Sequence, residues 1–122
     1  MLNELTIFQK TYELLTYLYP VLKKFPKSEK YTLAQRIENT IINLIEQIIT
    51  LNLEKNKEEP LKKADIELEK LRIFTRLSHD QKFIGIHQYE IINTKTAEIG
   101  KMIGGLKKRQ TDRIKSNIIN SN

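Results

Sequence analysis

The sequence of 122 residues contains no cysteine and no tryptophan, and it has only four glycines and three prolines. Without cysteine there can be no disulfide framework and no thiolate zinc site. So few glycines and prolines exclude a β-sandwich, which needs a turn about every ten residues. No apolar run approaches the length of about 18 residues that a membrane span requires. We therefore expect a small helical protein with no membrane segment.

The start of the chain and the histidines indicate neither secretion nor catalysis. Met1-Leu2-Asn3-Glu4 lacks the basic-then-apolar layout of a secretory signal, so we expect a cytoplasmic protein. The two histidines, His79 and His87, show neither His-Glu-x-x-His nor Glu-x-x-His spacing. The pattern contains no recognisable set of nucleophile, base and orienting group. The sequence predicts a protein that is not an enzyme and that uses no cofactor or metal.

Apolar residues recur at intervals of three and four along four segments, which is the period of an α-helix. The segments cover about residues 2–24, 28–53, 60–79 and 83–108, and short polar links join them. These features predict an all-α protein, an up-down-up-down four-helix bundle that forms one domain over residues 1–108. Residues 109–122 are basic and polar, and we expect this tail to be disordered.

Local signals predict how the helices begin, end and face the core. Thr32-x-x-Gln35 fits a capping box near the start of the second helix, and Pro20 should kink the first helix or loosen its last turn. Gly104-Gly105 near the end of the fourth helix indicates a C-cap or a close helix approach. The stripe that we expect to face the core on the first helix is Leu5, Phe8, Tyr12, Leu15, Tyr19 and Leu22.

The second and third helices carry more apolar surface than a single bundle buries. The apolar arc of the second helix spans about 200°, roughly twice the stripe of an ordinary surface helix. The third helix has a second apolar stripe on the side away from its first one. We therefore predict that these helices have another packing partner, and the candidate interface residues are Ile42, Ile49, Ile66, Ile73 and Leu77.

The formal net charge of +6 is concentrated in the last third of the chain. Residues 82–122 contain eight basic and three acidic residues, whereas residues 1–81 are close to neutral. Basic clusters bind phosphates through counterion release, and basic residues also favour the negative end of a helix dipole, so both interpretations remain open. The candidates for binding nucleic acid or a partner are Lys107, Lys108, Arg109, Arg113 and Lys115 near the end, and Lys23, Lys24, Lys27 and Lys30 around the first link.

Two further groups give weaker signals. Arg72 and Arg76 lie one turn apart beside the second stripe of the third helix, where Glu69 can form a salt bridge with Arg72. The five tyrosines could stack on bases, but Tyr12 and Tyr19 lie on the stripe expected to face the core. Aromatic stacking is therefore not strongly indicated.

Four stretches carry a resemblance to a known family. They are residues 25–37, which begin with Phe-Pro-Lys, residues 65–77, residues 88–90, and residues 98–105, which end in a double glycine. In this order and spacing they resemble the accessory variability determinant proteins of diversity-generating retroelements. A more distant resemblance, through the Phe-Pro-Lys feature, is to the four-helix protein encoded in intervening sequences of bacterial large-subunit ribosomal RNA genes.

The first resemblance implies a four-helix bundle that assembles into a barrel-like homopentamer. It also implies binding to a reverse transcriptase and to RNA or DNA, in support of the error-prone copying of template RNA that diversifies a target gene. The more distant resemblance leaves an alternative, a structural or protein-interaction module that does not bind nucleic acid. The basic positions that match those of the first family are Lys27, Arg36, Arg72, Arg76 and Lys101.

Overall fold

Four α-helices account for most of the chain. In the computed structural model the described residues are 2–120, and side chains are described for residues 5–120. The helices are α1 (Leu2–Lys23), α2 (Leu33–Leu53), α3 (Glu58–Asp80) and α4 (Ile86–Asn120), and a short 3₁₀ helix, Lys27–Glu29, lies between α1 and α2. Residues 2–120 contain no strand.

The helices pack around a common core, each antiparallel to its neighbours. α1 and α3 each pack closely on both α2 and α4, whereas the backbones of the diagonal pairs do not approach each other closely within the described part of the chain. Two ion pairs span these contacts: Lys10 on α1 lies 3.1 Å from Glu98 on α4, and Lys107 on α4 pairs with Asp65 on α3. The predicted all-α fold, a four-helix bundle, is confirmed.

The core is built mainly from leucine and isoleucine. Each helix directs an apolar stripe inward, and each fully buried Leu or Ile side chain contributes about 1.5–3 kcal/mol to stability. Buried hydroxyls bond back to their own helix: Thr11 donates to the Ile7 carbonyl at 2.7 Å, so its burial leaves no donor unsatisfied. The largest fully buried side chains are Ile7, Leu14, Leu18, Ile37, Ile41, Leu44, Ile48, Leu51, Leu61, Leu68, Leu71 and Ile92.

The predicted core-facing stripe of α1 is wrong. Tyr12 and Tyr19 are 48% and 40% exposed, Leu5 is exposed as well, and of the predicted stripe only Leu22 is buried. The helix has two apolar stripes, and the aliphatic one enters the core because it brings no phenol hydroxyl that needs a partner there. The residues that form the buried face are Ile7, Thr11, Leu14, Leu18, Val21 and Leu22.

The junction between α1 and α2 also differs from the prediction. Pro20 lies inside α1, which continues to Lys23. The predicted capping box is wrong: the Thr32 hydroxyl donates to the Glu29 carboxylate at 2.7 Å, and the Thr32 side chain makes no capping bond to α2. A carboxylate is a stronger acceptor than a neutral group, which favours this contact. The second helix begins at Leu33, which fits a start near Thr32 and not one near residue 28, because residues 27–29 form the separate 3₁₀ helix.

The last helix is much longer than predicted. The sequence predicts a helix end at residue 108 and disorder over residues 109–122, whereas α4 continues to Asn120. Residues 121 and 122 lie outside the described part. Lysine, arginine and glutamine are good helix formers and no proline follows residue 108, so nothing there ends the helix. Gly104 and Gly105 lie inside α4, and a Cβ at either would meet no atom within 4 Å. Neither predicted role for the pair, a C-cap or a close helix approach, is present in residues 2–120.

A residue in the left-handed conformation ends α3. Lys82 has a φ of 65°. The Phe83 N–H donates to the Ser78 carbonyl at 2.8 Å, and the Lys82 N–H donates to the His79 carbonyl at 2.9 Å. These two bonds form a Schellman motif, in which glycine is the usual residue at the left-handed position. The turn brings Phe83 against Phe25, with ring centroids 5.7 Å apart, so the links at this end of the bundle pack on each other.

Candidate nucleic-acid and partner interface

The basic candidates lie in three separate regions of the bundle. The link cluster, at the end of α1, consists of Lys23, Lys24, Lys27 and Lys30. The α4 extension, residues 107–120, lies at the opposite end, because α1 and α4 are antiparallel. The two are separated by the length of a 21-residue helix, about 30 Å. The third region lies between these ends, and its candidates are Arg36 on α2, Arg72 and Arg76 on α3, and Lys101 on α4.

The link cluster presents four positive charges on a fixed part of the fold. All four lysines are exposed. None of them takes part in the ion pairs found between described side chains. Phe25 is buried, and its packing holds the link against the core. Lys23 lies in the last turn of α1, where a cation also interacts favourably with the helix dipole.

The α4 extension projects beyond the bundle over most of its length. Lys107 still pairs with Asp65 of α3, but every residue from 111 to 120 is exposed. Its basic residues span about 240° of the helix circumference, so positive charge nearly surrounds the helix. Ile114 and Ile118 are exposed as well. The extension combines basic and apolar groups on a single helix, which suits contact with a polyanion or with another protein.

Arg72 is held in the groove between α3 and α4. The predicted ion pair with Glu69 is confirmed, with Nη1 3.2 Å from Oε2, and Nη2 donates to the Thr96 carbonyl at 3.4 Å. Gly100 lies beneath the guanidinium, since a Cβ there would be 2.6 Å from Nη2. Arg76 is more exposed, and among the described side chains it makes one long ion pair, of 3.9 Å to Asp80 of the same helix. Arg72 thus has partners within its own chain, whereas Arg76 is more open to an external partner.

Arg36 and Lys101 are both exposed, on different helices. Arg36 lines a groove of about 790 Å³ between α2 and the end of α3. Phe74, Leu77 and Phe83 supply apolar surface in the same groove. The structure therefore does not bring the family-matched basic positions together into one patch.

The candidate interface residues of α3 form an exposed ridge. The α3 ridge consists of Ile66, Ile73 and Leu77, which are between 43% and 59% exposed. At 100° per residue they fall within about 40° of one another, on the side opposite the buried stripe of α3. The bundle leaves this ridge uncovered, as expected for residues assigned to a subunit contact.

The candidate interface residues of α2 belong to a second face, shared with α1. Ile49 is exposed and Ile42 is half-buried. Both lie on the side of α2 that carries Glu38, and Glu38 bonds to Tyr19 of α1. This α1–α2 face includes three residues that the prediction placed in the core, and their spacing of seven residues is the signal of a second packing seam. The α1–α2 face consists of Leu5, Tyr12, Tyr19, Ile42 and Ile49.

Two polar contacts on α1 have shifted pKa values. The hydrogen bond to Glu38, followed by partial desolvation, raises the pKa of Tyr19 above its ordinary value. The hydrogen bond to Glu98 and its negative charge likewise raise the pKa of Lys10. Each bond therefore joins α1 to a neighbouring helix through a donor that stays protonated at neutral pH.

The histidines form no recognisable site. The His79 ring stacks on Tyr89 with centroids 4.5 Å apart, and His87 is exposed. Within the described residues no group of three or more His, Asp or Glu side chains could hold a metal ion. No helix of the described chain combines the length and apolar character needed to cross a membrane.

The fold and surface define the class of the protein, a four-helix bundle with exposed apolar faces and basic ends. A solved structure with the same fold is that of a protein of unknown function from the S23 ribosomal protein family of Bacteroides thetaiotaomicron. The TM-score is 0.79 at 18% sequence identity, over 87% of this chain and 98% of that one.

The family follows from the sequence comparison. Residues 5–110 match the bAvd-like family. The chain therefore belongs to the bAvd-like family, the bacterial accessory variability determinants, and the predicted resemblance is confirmed. Comparison with curated proteins gives no match.

Proposed function

We propose that this protein is a non-enzymatic accessory protein of a diversity-generating retroelement. It binds the reverse transcriptase and the template RNA or DNA in the cytoplasm and supports mutagenic reverse transcription. Membership of the bAvd-like family supports the accessory role. The observation that carries the proposal is the division of the surface, with apolar faces along the sides of the bundle and basic groups at its two ends.

The two apolar faces support assembly into a ring. A two-fold dimer needs a single self-complementary patch, whereas contact between two different patches proceeds head to tail and gives a ring when the rotation between subunits closes, or an open filament when it does not. The α3 ridge and the α1–α2 face are different patches, because they are formed by residues of different helices. We assign them as the two halves of one contact, from which Tyr19 and its neighbour Glu38, at the link-cluster end of the α1–α2 face, are excluded, and the homopentamer implied by the family resemblance is the ring size.

Assembly strengthens the weak charge of a single subunit. Five copies, each with a net charge of +6, give a particle of about +30. Counterion release then supplies a large electrostatic contribution to binding nucleic acid. In this proposal the link cluster and the α4 extension contact the nucleic acid, and Arg36, Arg76 and Lys101 are available to the reverse transcriptase.

The test is the salt dependence of template RNA binding. In the double variant Arg113→Gln/Lys115→Gln we expect weaker binding and a slope of log K against log salt that is shallower by about 0.7–0.9 for each lost phosphate contact. The matched control, Lys70→Gln/Lys95→Gln, removes the same charge from the sides of the bundle and should change the slope much less. Equal slopes for the two variants would show that the α4 extension does not contact the RNA. Copurification with the reverse transcriptase tests the other partner.

A second candidate is a protein-interaction module of the intervening-sequence type, which does not bind nucleic acid. The similarity in fold to an S23-family protein favours it. It predicts an oligomer of the same size that retains no RNA at physiological salt. RNA retention by the wild-type oligomer therefore separates the two candidates.

A further inference from the structure

The surface between the end of α1 and the start of α2 forms a groove of about 260 Å³. Two aromatic residues, Tyr19 and Tyr31, and two basic residues, Lys23 and Lys30, line it. Its volume lies just below the range of about 300–1,000 Å³ typical of small-molecule sites, which suits a single planar ring system. Ala34 contributes only a methyl group, which keeps the groove open beside Tyr31.

Tyr31 is the most exposed large hydrophobic residue of the described chain, at 84%. None of the ring contacts found between described side chains involves Tyr31 or Tyr19. An aromatic ring without a stacking partner offers its face to a ligand, and every nucleobase has a complementary π-face.

Tyr19 and Glu38 form a polar wall of the groove. The Tyr19 hydroxyl and the Glu38 carboxylate both line the groove, and their interaction raises the pKa of Tyr19. An ionised carboxylate can accept several hydrogen bonds, so Glu38 keeps capacity for a further donor, such as the exocyclic amino group of a base.

The charges around the groove complement a phosphate backbone. Lys23 and Lys30 line the groove, and Lys24 and Lys27 of the link cluster lie between them in the sequence. Glu38 is the only acidic residue that lines this groove. Aromatic rings next to lysines are the combination by which proteins bind single-stranded nucleic acid.

We propose that this groove binds one unpaired base of a single-stranded RNA or DNA, which stacks on Tyr31 while the flanking phosphates contact Lys23 and Lys30. Bases within a duplex are stacked on each other and cannot enter it. Tyr31 also lines the groove that contains Arg36, so a strand that leaves the first groove passes over Tyr31 toward a further cation. The inference rests on the proposed binding of nucleic acid and adds a selectivity for unpaired segments.

The test compares Tyr31→Ala with Tyr31→Phe in the full chain. The probes are a short fluorescein-labelled single-stranded RNA and the blunt duplex formed from it and its complement, measured by fluorescence anisotropy. Loss of one base stack corresponds to a loss of affinity of about fivefold to a hundredfold, so we expect this loss for Tyr31→Ala on the single strand only. Tyr31→Phe keeps the ring and should bind like the wild type. Light scattering and circular dichroism verify that both variants keep the size and helicity of the wild type.

The outcomes separate this inference from the proposed function. If the wild type binds neither probe, the proposed function fails and the inference fails with it. If the wild type binds RNA but Tyr31→Ala binds the single strand equally well, or loses duplex binding to the same extent, only the stacking site is refuted. A changed oligomer size in Tyr31→Ala also refutes it, because Tyr31 would then belong to a subunit contact.

Discussion

Replacing Ile73 by glutamate is the most direct test of the α3 ridge. Ile73 is 59% exposed. Complete burial of an isoleucine is worth about 1.5–3 kcal/mol, so covering the exposed part contributes about 1–2 kcal/mol to each subunit contact. A glutamate there loses this gain and adds the cost of removing its charge from water at the contact, several kcal/mol more. A total of about 4 kcal/mol weakens each contact about a thousandfold.

The assay is the molar mass measured by light scattering after gel filtration, together with thermal unfolding followed by circular dichroism. We expect Ile73→Glu to dissociate to the single subunit and to keep its helicity, because substitutions at exposed positions change stability by about 0.5 kcal/mol or less. The matched control is Ile86→Glu, at an isoleucine that is 60% exposed but belongs to neither apolar face. This variant should keep the mass of the wild type. An unchanged mass for Ile73→Glu would falsify the assignment of the α3 ridge to a contact.

Three further predictions concern stability. Lys82→Gly should raise the free energy of unfolding by about 0.5–1 kcal/mol, because glycine adopts the left-handed conformation without strain; a lower melting temperature would contradict the Schellman assignment. Gly104→Ala and Gly105→Ala should each stabilise the subunit by about 1 kcal/mol in thermal unfolding, since the added methyl meets no atom of the described chain. If either variant also loses oligomer mass, α4 packs closely on another subunit there. The raised pKa of Lys10 means that its bond to Glu98 stabilises the fold below the ordinary pKa of 10.5 and is lost as the pH rises through the folded value. Lys10→Met should therefore flatten the fall in melting temperature above that pH, and an identical pH profile would contradict the contribution of this bond.

The number and type of the helices follow from the sequence, because apolar periodicity is a local property. When a helix has two apolar stripes, local periodicity does not decide which of them is buried. On α1, both Tyr12 and Leu14 belong to helical repeats, and only packing against the neighbouring helices decides that Leu14 is buried. A stripe of tyrosines is also compatible with a half-exposed position, since the ring is apolar and its hydroxyl is polar. The spacing of seven residues between Leu5, Tyr12 and Tyr19 indicates this half-exposed packing seam.

The sequence predicts which basic residues belong to the candidate site, but it does not predict how they are arranged in space. The sequence separates the link cluster from the α4 extension by about eighty residues, and only the antiparallel packing shows that they lie at opposite ends. The groove at Tyr31 depends on the contact between α1 and α2, which no local pattern contains. The continuation of α4 was missed because polar composition was interpreted as disorder, although the same residues have high helix propensity.

The α4 extension has a consequence for any closed ring that this protein forms. Rotation about a single axis leaves every subunit pointing in the same direction. Fourteen residues of helix measure about 20 Å. One rim of such a ring therefore carries projecting, charged helices of this length, and the link clusters lie at the other rim. The two rims differ in shape as well as in sequence, which gives the particle a polarity. In the proposed function, nucleic acid would contact the two rims and the reverse transcriptase the surface between them, so the two partners would not compete for the same residues.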